Sequence, residues 1–308
     1  MRAVAEYVMR GRAQALLVTQ ALWIAVLGVL LQVDIFQASG LMFAWLSAAA
    51  LALVTMRLGA SEGGYILAWA LLPAGFLTAF GDASPLGLIL GTTALALVLR
   101  GTVSWQWTLC ASSLVGVVTG ALLLGFAENY LQQIAGMFAE VFANLEAQLE
   151  QQGGEAVKLT PPGVVTIAGL LGLTNALSCV LCLLLARWWQ ATLYNPGGFG
   201  EEFHALRFSP QVGSLLVVLM LMISTFGHEY RPWAVLFAIP LCVAGLALVH
   251  ARAAYRGQGA AYLTLFYVLW ILLDPVKMIV LGLAVADSWF DFRSRWRPRP
   301  KQPDSDNE

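Results

Sequence analysis

Residues 163–186 read GVVTIAGLLGLTNALSCVLCLLLA, twenty-four positions without a single charge. A helix needs about 20 mainly apolar residues to cross a bilayer core. Working outward, comparable runs occur at 14–33, 36–56, 64–80, 85–99, 104–126, 211–226, 233–250 and 260–286. None alternates apolar and polar residues as a barrel strand does. The pattern predicts an all-α, polytopic transmembrane helical bundle of about 8–10 membrane segments.

Composition agrees. Hydrophobic residues make up 59% of the 308 and charged residues 11%, where soluble domains have about 45–50% and 25%. So few charges cannot cover a water-exposed surface. The net charge of −1 offers no basic face for nucleic acid. The expected organisation is one transmembrane domain over 1–297 and a disordered cytoplasmic tail over 298–308.

Charge sidedness predicts orientation, because Lys and Arg near helix ends stay cytoplasmic. Arg2, Arg10 and Arg12 precede the first segment. Arg57, Arg100, Arg187, Arg207, Arg252 and Arg256 follow the second, fourth, sixth and eighth. The alternate connections carry Asp34, Asp82, Glu128, Glu140, Glu146, Glu150 and Glu155, against Lys158 and Arg231 alone. A cytoplasmic N-terminus in a bacterial inner membrane follows. The basic start resembles a signal peptide, but the long apolar run without a clear cleavage site reads as a retained helix. The segment 260–286 departs from this scheme, since one crossing would place Arg293, Arg295, Arg297, Arg299 and Lys301 outside. A reversal at Asp274-Pro275 resolves the conflict, because Pro removes a donor and disfavours helix before it. The alternative is that one earlier segment does not cross.

Two connections stand out. Over 128–150 apolar residues recur at three and four, from Leu131 and Ile134 to Leu145 and Leu149, predicting an extracytoplasmic amphipathic helix. Its other face is acidic without lysine, unlike helices that hold anionic lipid. Packing on the bundle or lying in the headgroup zone is one reading; a lid over an outward-facing pocket is the other. The 187–210 stretch, RWWQATLYNPGGFGEEFHALRFSP, is rich in aromatics and glycine. It is expected to be a cytoplasmic loop at the headgroup boundary or a docking face for a partner. Its glycines match neither GxGxxG nor a Walker loop.

Chemical motifs are sparse. Cys179 and Cys182 form CxxC inside an apolar helix, where structural packing is the expectation. His204, His228 and His250 share no ligand spacing, and no nucleophile elbow occurs. No catalytic residue, metal or cofactor is expected, and the chain does not read as an enzyme. Polar groups within apolar segments carry more information, being costly in lipid. Asn175, Asp274 and Lys277 form the candidate intramembrane polar or ligand site. Asp274 and Lys277, three apart, can also simply neutralise one another, and Asn175 can serve an interhelical hydrogen bond. Ser112, Gly116 and Gly120, and Ala21 with Ala25, have the small-xxx-small spacing of close helix packing.

Two motifs carry a family resemblance. Leu193-Tyr194-Asn195-Pro196-Gly197-Gly198-Phe199, continuing through Glu202-Phe203 and Arg207, resembles the proteobacterial branch of the YybS-like predicted membrane proteins. The terminus Leu281-Gly282-Leu283-Ala284-Val285-Ala286-Asp287, with Trp289, Asp291 and Arg293, resembles that family's end more broadly. The family is distantly similar to the substrate-binding subunits of energy-coupling-factor transporters, which bind vitamins or metals and dock on a transmembrane coupling protein. Ala21 and Ala25 match the small docking motif often found on the first helix of those subunits. The resemblance implies a transporter-like substrate-binding or transport-associated subunit for a small molecule. Its partners would be energy-coupling subunits or other membrane and cytoplasmic proteins. Docking would use Ala21, Ala25, Tyr194, Asn195, Pro196, Gly197, Gly198, Phe199 and Arg207. The alternative is a non-transporting scaffold that recruits proteins through 187–210 and the basic C-terminus.

Overall fold

A computed structural model describes residues 2–35, 40–151 and 158–296. These residues form helices joined by short turns, with no strand among those described. The tail expected over 298–308 and residues 152–157 of the return after the amphipathic helix lie outside the described residues. Among the described residues six helices are long and apolar enough to cross a membrane, or up to eight crossings if each of two bent pairs makes one.

The chain separates into two compact units, Met1–Phe199 with Leu216–Pro240, and Gly200–Leu215 with Leu241–Glu308. The first contains α1 (Arg2–Val8), α2 (Arg12–Thr19), α3 (Trp23–Leu31), α4 (Gly40–Leu58), α5 (Ala60–Ala79), α6 (Ser84–Thr102), α7 (Trp105–Phe126), α8 (Glu128–Gln151) and α9 (Val164–Tyr194). It also holds most of α11 (Pro210–Ser224) and all of α12 (Arg231–Val235). At its centre α4 is buried on every side from Ser47 to Met56. The run Ala48-Ala49-Ala50 with Ala52 is small enough to admit neighbours all round, as a fully enclosed helix requires.

The 14–33 segment is one run, Arg12–Leu31, with a 3-10 turn over Gln20–Leu22. A local cause is visible. Ser47 Oγ donates to the Thr19 carbonyl at 2.8 Å, and Thr19 Oγ1 donates back to Leu16 O at 2.9 Å. Side chains bonding into the backbone ladder loosen and bend helices.

The α7–α9 seam rests on small residues. A Cβ on Gly172 would collide with the Gly116 carbonyl, and one on Gly120 would lie 3.0 Å from Ala168 O. Small-xxx-small spacing therefore serves packing within the unit. Trp233 covers Gly120 and Gly169, its Nε1 donating to Val165 O at 3.0 Å. Ser113 Oγ donates to Leu236 O at 2.8 Å.

Helix α8 matches the expected amphipathic element. Leu131 is buried against Ile167 and Ala168, with Ile134 and Ala135 packed on them. Farther along, Met137, Val141, Leu145 and Leu149 leave the apolar stripe exposed. The first turns thus bind the helix to its unit, and farther along Glu146 accepts the Leu159 N–H.

The second unit contains residues of α10 (Gly198–Ala205) from Gly200 on, the start of α11, and α13 (Ala238–Tyr255) from Leu241. It also contains α14 (Ala260–Leu272), α15 (Asp274–Phe290) and α16 (Phe292–Trp296). The expected break is present: α14 and α15 meet at a bend of 114°. Pro275 sits in the first turn of α15, where its missing N–H is harmless, whereas continuing α14 through it would clash with the preceding turn. At 1.5 Å per residue the two arms run about 20 and 26 Å, each short of the roughly 30 Å core. Gly245 lets α13 approach α15, since a Cβ there would lie 2.5 Å from Val280 Cγ1.

Candidate functional site

The basic residues read as one membrane side do gather in the first unit. Arg57 lies over the Tyr194 ring, 4.1 Å from its centroid. Arg100 donates to the Met56 carbonyl at 2.6 Å, and Arg12 pairs with Glu62. These contacts tie the ends of α4, α6 and α9, and separately the starts of α2 and α5. Cation–π stacking holds the Tyr194 ring by about 0.5–1 kcal/mol at such an exposed place.

The 187–210 stretch is not a loop throughout. Helix α9 runs 31 residues to Tyr194, with Trp189 fully buried, so RWWQATLY continues the helix beyond the apolar run. A change to charged and aromatic residues does not stop a helix that still has core to cover. Asn195-Pro196-Gly197 stops it, because Pro disfavours helix before it and Gly197 adopts φ +91°. Tyr194 to Gly197 are exposed, Gly198 is buried against the Asn195 side chain, and Phe199 is half-buried.

The first-helix alanines are placed differently from expectation. Ala25 is 3% exposed, and a Cβ on Gly40 would lie 3.1 Å from its own Cβ. It is occupied inside the unit and offers no surface to a partner, while Ala21 is half-buried within the 3-10 turn. Ala25→Leu is therefore expected to lower the melting temperature of the purified protein, and Ala21→Leu to change it little. Equal melting temperatures for both variants would contradict this packing.

The polar candidates fall into separate units. Asn175, in the first, donates to Thr119 Oγ1 at 2.9 Å and to Gly87 O at 3.4 Å, the interhelical alternative. Cys179 and Cys182 sit 3.7 Å from the carbonyls of Leu88 and Trp45 as packed thiols. In the second unit Lys277 Nζ donates to Asp274 Oδ1 at 2.7 Å. The pair is exposed at the α14–α15 elbow, with 89% of the Asp274 side chain uncovered by the protein.

Arg207, at the end of the first motif, meets the terminal motif in the second unit, whereas Leu193–Phe199 belong to the first unit. Asp287 is 1% exposed and Arg293 5%. Arg293 Nε lies 3.3 Å from Asp287 Oδ2, and its terminal nitrogens donate to His204 O at 3.0 Å and Ala244 O at 3.4 Å. Asp287 Oδ1 accepts the Phe292 N–H at 2.9 Å and so caps the end of α15. Arg207 NH1 pairs with Asp291 at 2.6 Å. Burial pulls the Arg293 pKa down while the Asp287 carboxylate opposes it. Arg293 is thus not a solvated tail charge: it joins α16 to residues about ninety positions earlier. Trp289 remains exposed. Beside this cluster opens a cavity of about 290 Å³ lined by Ala205, Arg207, Asp291, Arg293 and Ser294. Arg207 and the terminal charges Asp287, Asp291 and Arg293 lie eighty or more residues apart in the chain; their shared unusual charge near apolar segments is the signal that joins them. Nearby, His250 Nε2 is 2.7 Å from the Tyr267 hydroxyl, and Phe203 stands edge-on to His250.

Fold and apolarity define a multi-pass membrane protein of the all-α class. No family model matches the chain, and no solved structure matches it. It is 24% identical over 156 residues to a putative metabolite transport protein, NicT, of Pseudomonas putida. That stretch is 49% of this chain and 35% of the NicT length, so the chain spans well under two thirds of that relative.

Proposed function

We propose that the chain is a bacterial inner-membrane transport component, a substrate-binding or transport-associated subunit for a small metabolite, with its N-terminus cytoplasmic. The observation that carries this reading is the broken α14–α15 pair, bent by 114° with a charged pair at its elbow. Discontinuous helices whose inner termini face a polar site recur in secondary transporters. The similarity to NicT over half the chain supports the same class. The resemblance of 193–199 and 281–293 to the YybS-like proteins supports a narrower reading, kinship with energy-coupling-factor substrate-binding subunits. Docking then falls to the exposed turn Tyr194-Asn195-Pro196-Gly197. No catalytic role or cofactor is part of the proposal.

Affinity purification from native membranes tests it. Co-purification of an ATPase with a membrane coupling subunit, or a small metabolite retained and identified by mass spectrometry, is the expected result. A preparation without bound metabolite that brings only non-transport proteins would overturn it in favour of the scaffold.

A further inference from the structure

We propose that the cavity beside Arg207 and Arg293 binds a phosphate group. The proposal stands on the second unit alone and holds whether or not the chain carries a solute.

Two of the five lining residues are arginines, whose planar forks suit phosphate oxygens. Arg293 is 95% buried, and its backbone acceptors at His204 and Ala244 fix it in place. Yet its buried Nε has no hydrogen-bond partner, the Asp287 carboxylate being close without bonding geometry. A buried donor left so is costly. Arg207 is one-third exposed and meets Asp291 through NH1; one carboxylate contact cannot satisfy a five-donor fork.

The lining holds two guanidiniums and one carboxylate, Asp291. Asp287, outside the lining, offsets the Arg293 charge, so recognition rests on the arginine donors and not on net charge. Size narrows the class: about 290 Å³ falls at the bottom of the range for ligand pockets, right for a headgroup or small phosphorylated solute. Trp289 and Phe290, immediately before Asp291, are 63% and 60% exposed. Exposed aromatics of this kind suit the headgroup level of a bilayer. A phospholipid headgroup and a free phosphate ester share the chemistry, and the experiment separates them.

The full-length protein, purified in phosphate-free neutral detergent, is melted against inorganic phosphate, glycerol 3-phosphate and short-chain phosphatidic acid, with choline chloride as control. At least one phosphate probe should raise the melting temperature saturably, and choline should not. Arg207→Gln should raise the half-saturating concentration by about tenfold or more, having lost a charged fork. Asp291→Asn should lower it by about tenfold, because a neighbouring negative charge is removed. Asn tolerates the left-handed conformation held at position 291, φ +44°, so this variant keeps the backbone. A response to the water-soluble probes identifies a phosphorylated solute; a response to phosphatidic acid alone identifies a lipid headgroup. No response to any of the three, or an Asp291→Asn protein that binds no tighter than the parent, would overturn the proposal. Should Arg207→Gln fail to fold, the Asp291→Asn result decides.

Discussion

Arg293→Met is expected to destabilise the protein by about 3–5 kcal/mol, the usual cost of stranding one partner of a buried ion pair. The substitution removes a guanidinium whose side chain is 6% exposed and leaves the Asp287 carboxylate, 2% exposed, without its counter-charge. It also removes the donors to His204 O and Ala244 O, which join α16 to α10 and α13. Melting temperature and folded yield in detergent should both fall sharply. Arg295→Met, two positions on in α16, exposed and outside the cluster, should change neither by much. Similar losses for both variants would mean that the helix end, and not the ion pair, matters.

Gly172→Leu should be comparably harmful through steric exclusion. Even a Cβ on Gly172 would collide with the Gly116 carbonyl, a backbone atom that cannot rotate away. Overpacking costs about 1–3 kcal/mol or more when backbones must separate. The α7–α9 seam would have to open, disturbing the Trp233 and Leu236 contacts that cover it. Gly75→Ala, in α5, has open space within 4 Å and should be neutral or stabilising by about 0.5–1 kcal/mol, the ordinary gain of Ala over Gly in a helix. Thermal melting of the two variants against the parent checks the contrast. A harmless Gly172→Leu would contradict the close seam.

Much of this architecture was legible because lipid-spanning helices announce themselves by composition. Pro275 marked the break in 260–286, and the three-and-four recurrence after Glu128 marked α8. Asn175 and the α7 glycines were readable as packing elements because polar and small residues in apolar helices have few other uses. Other features depended on tertiary partners. The sequence pattern around Arg187 suggested a loop, but Trp189 had core to fill and the helix continued to Asn195. Ala25 has the small-residue spacing of a docking face, but Gly40 lies against it. The site in the second unit was the least visible. Arg207 and the terminal Asp287, Asp291 and Arg293 were each conspicuous, yet eighty or more residues separate the halves, and no local periodicity records their meeting.

The central claim is that the terminal motif folds around a buried ion pair, Asp287 with Arg293, which anchors α16 on α10 and α13, and a double-mutant cycle on Asp287→Asn and Arg293→Met tests it most directly. Asn keeps an acceptor for the Phe292 N–H and removes the charge, so the double variant buries no unpaired ion. The account predicts that each single change destabilises strongly and that the double variant recovers stability, with a coupling of about 1–3 kcal/mol, as for residues in direct contact. Effects that add to within about 0.5 kcal/mol, as for independent sites, would contradict it.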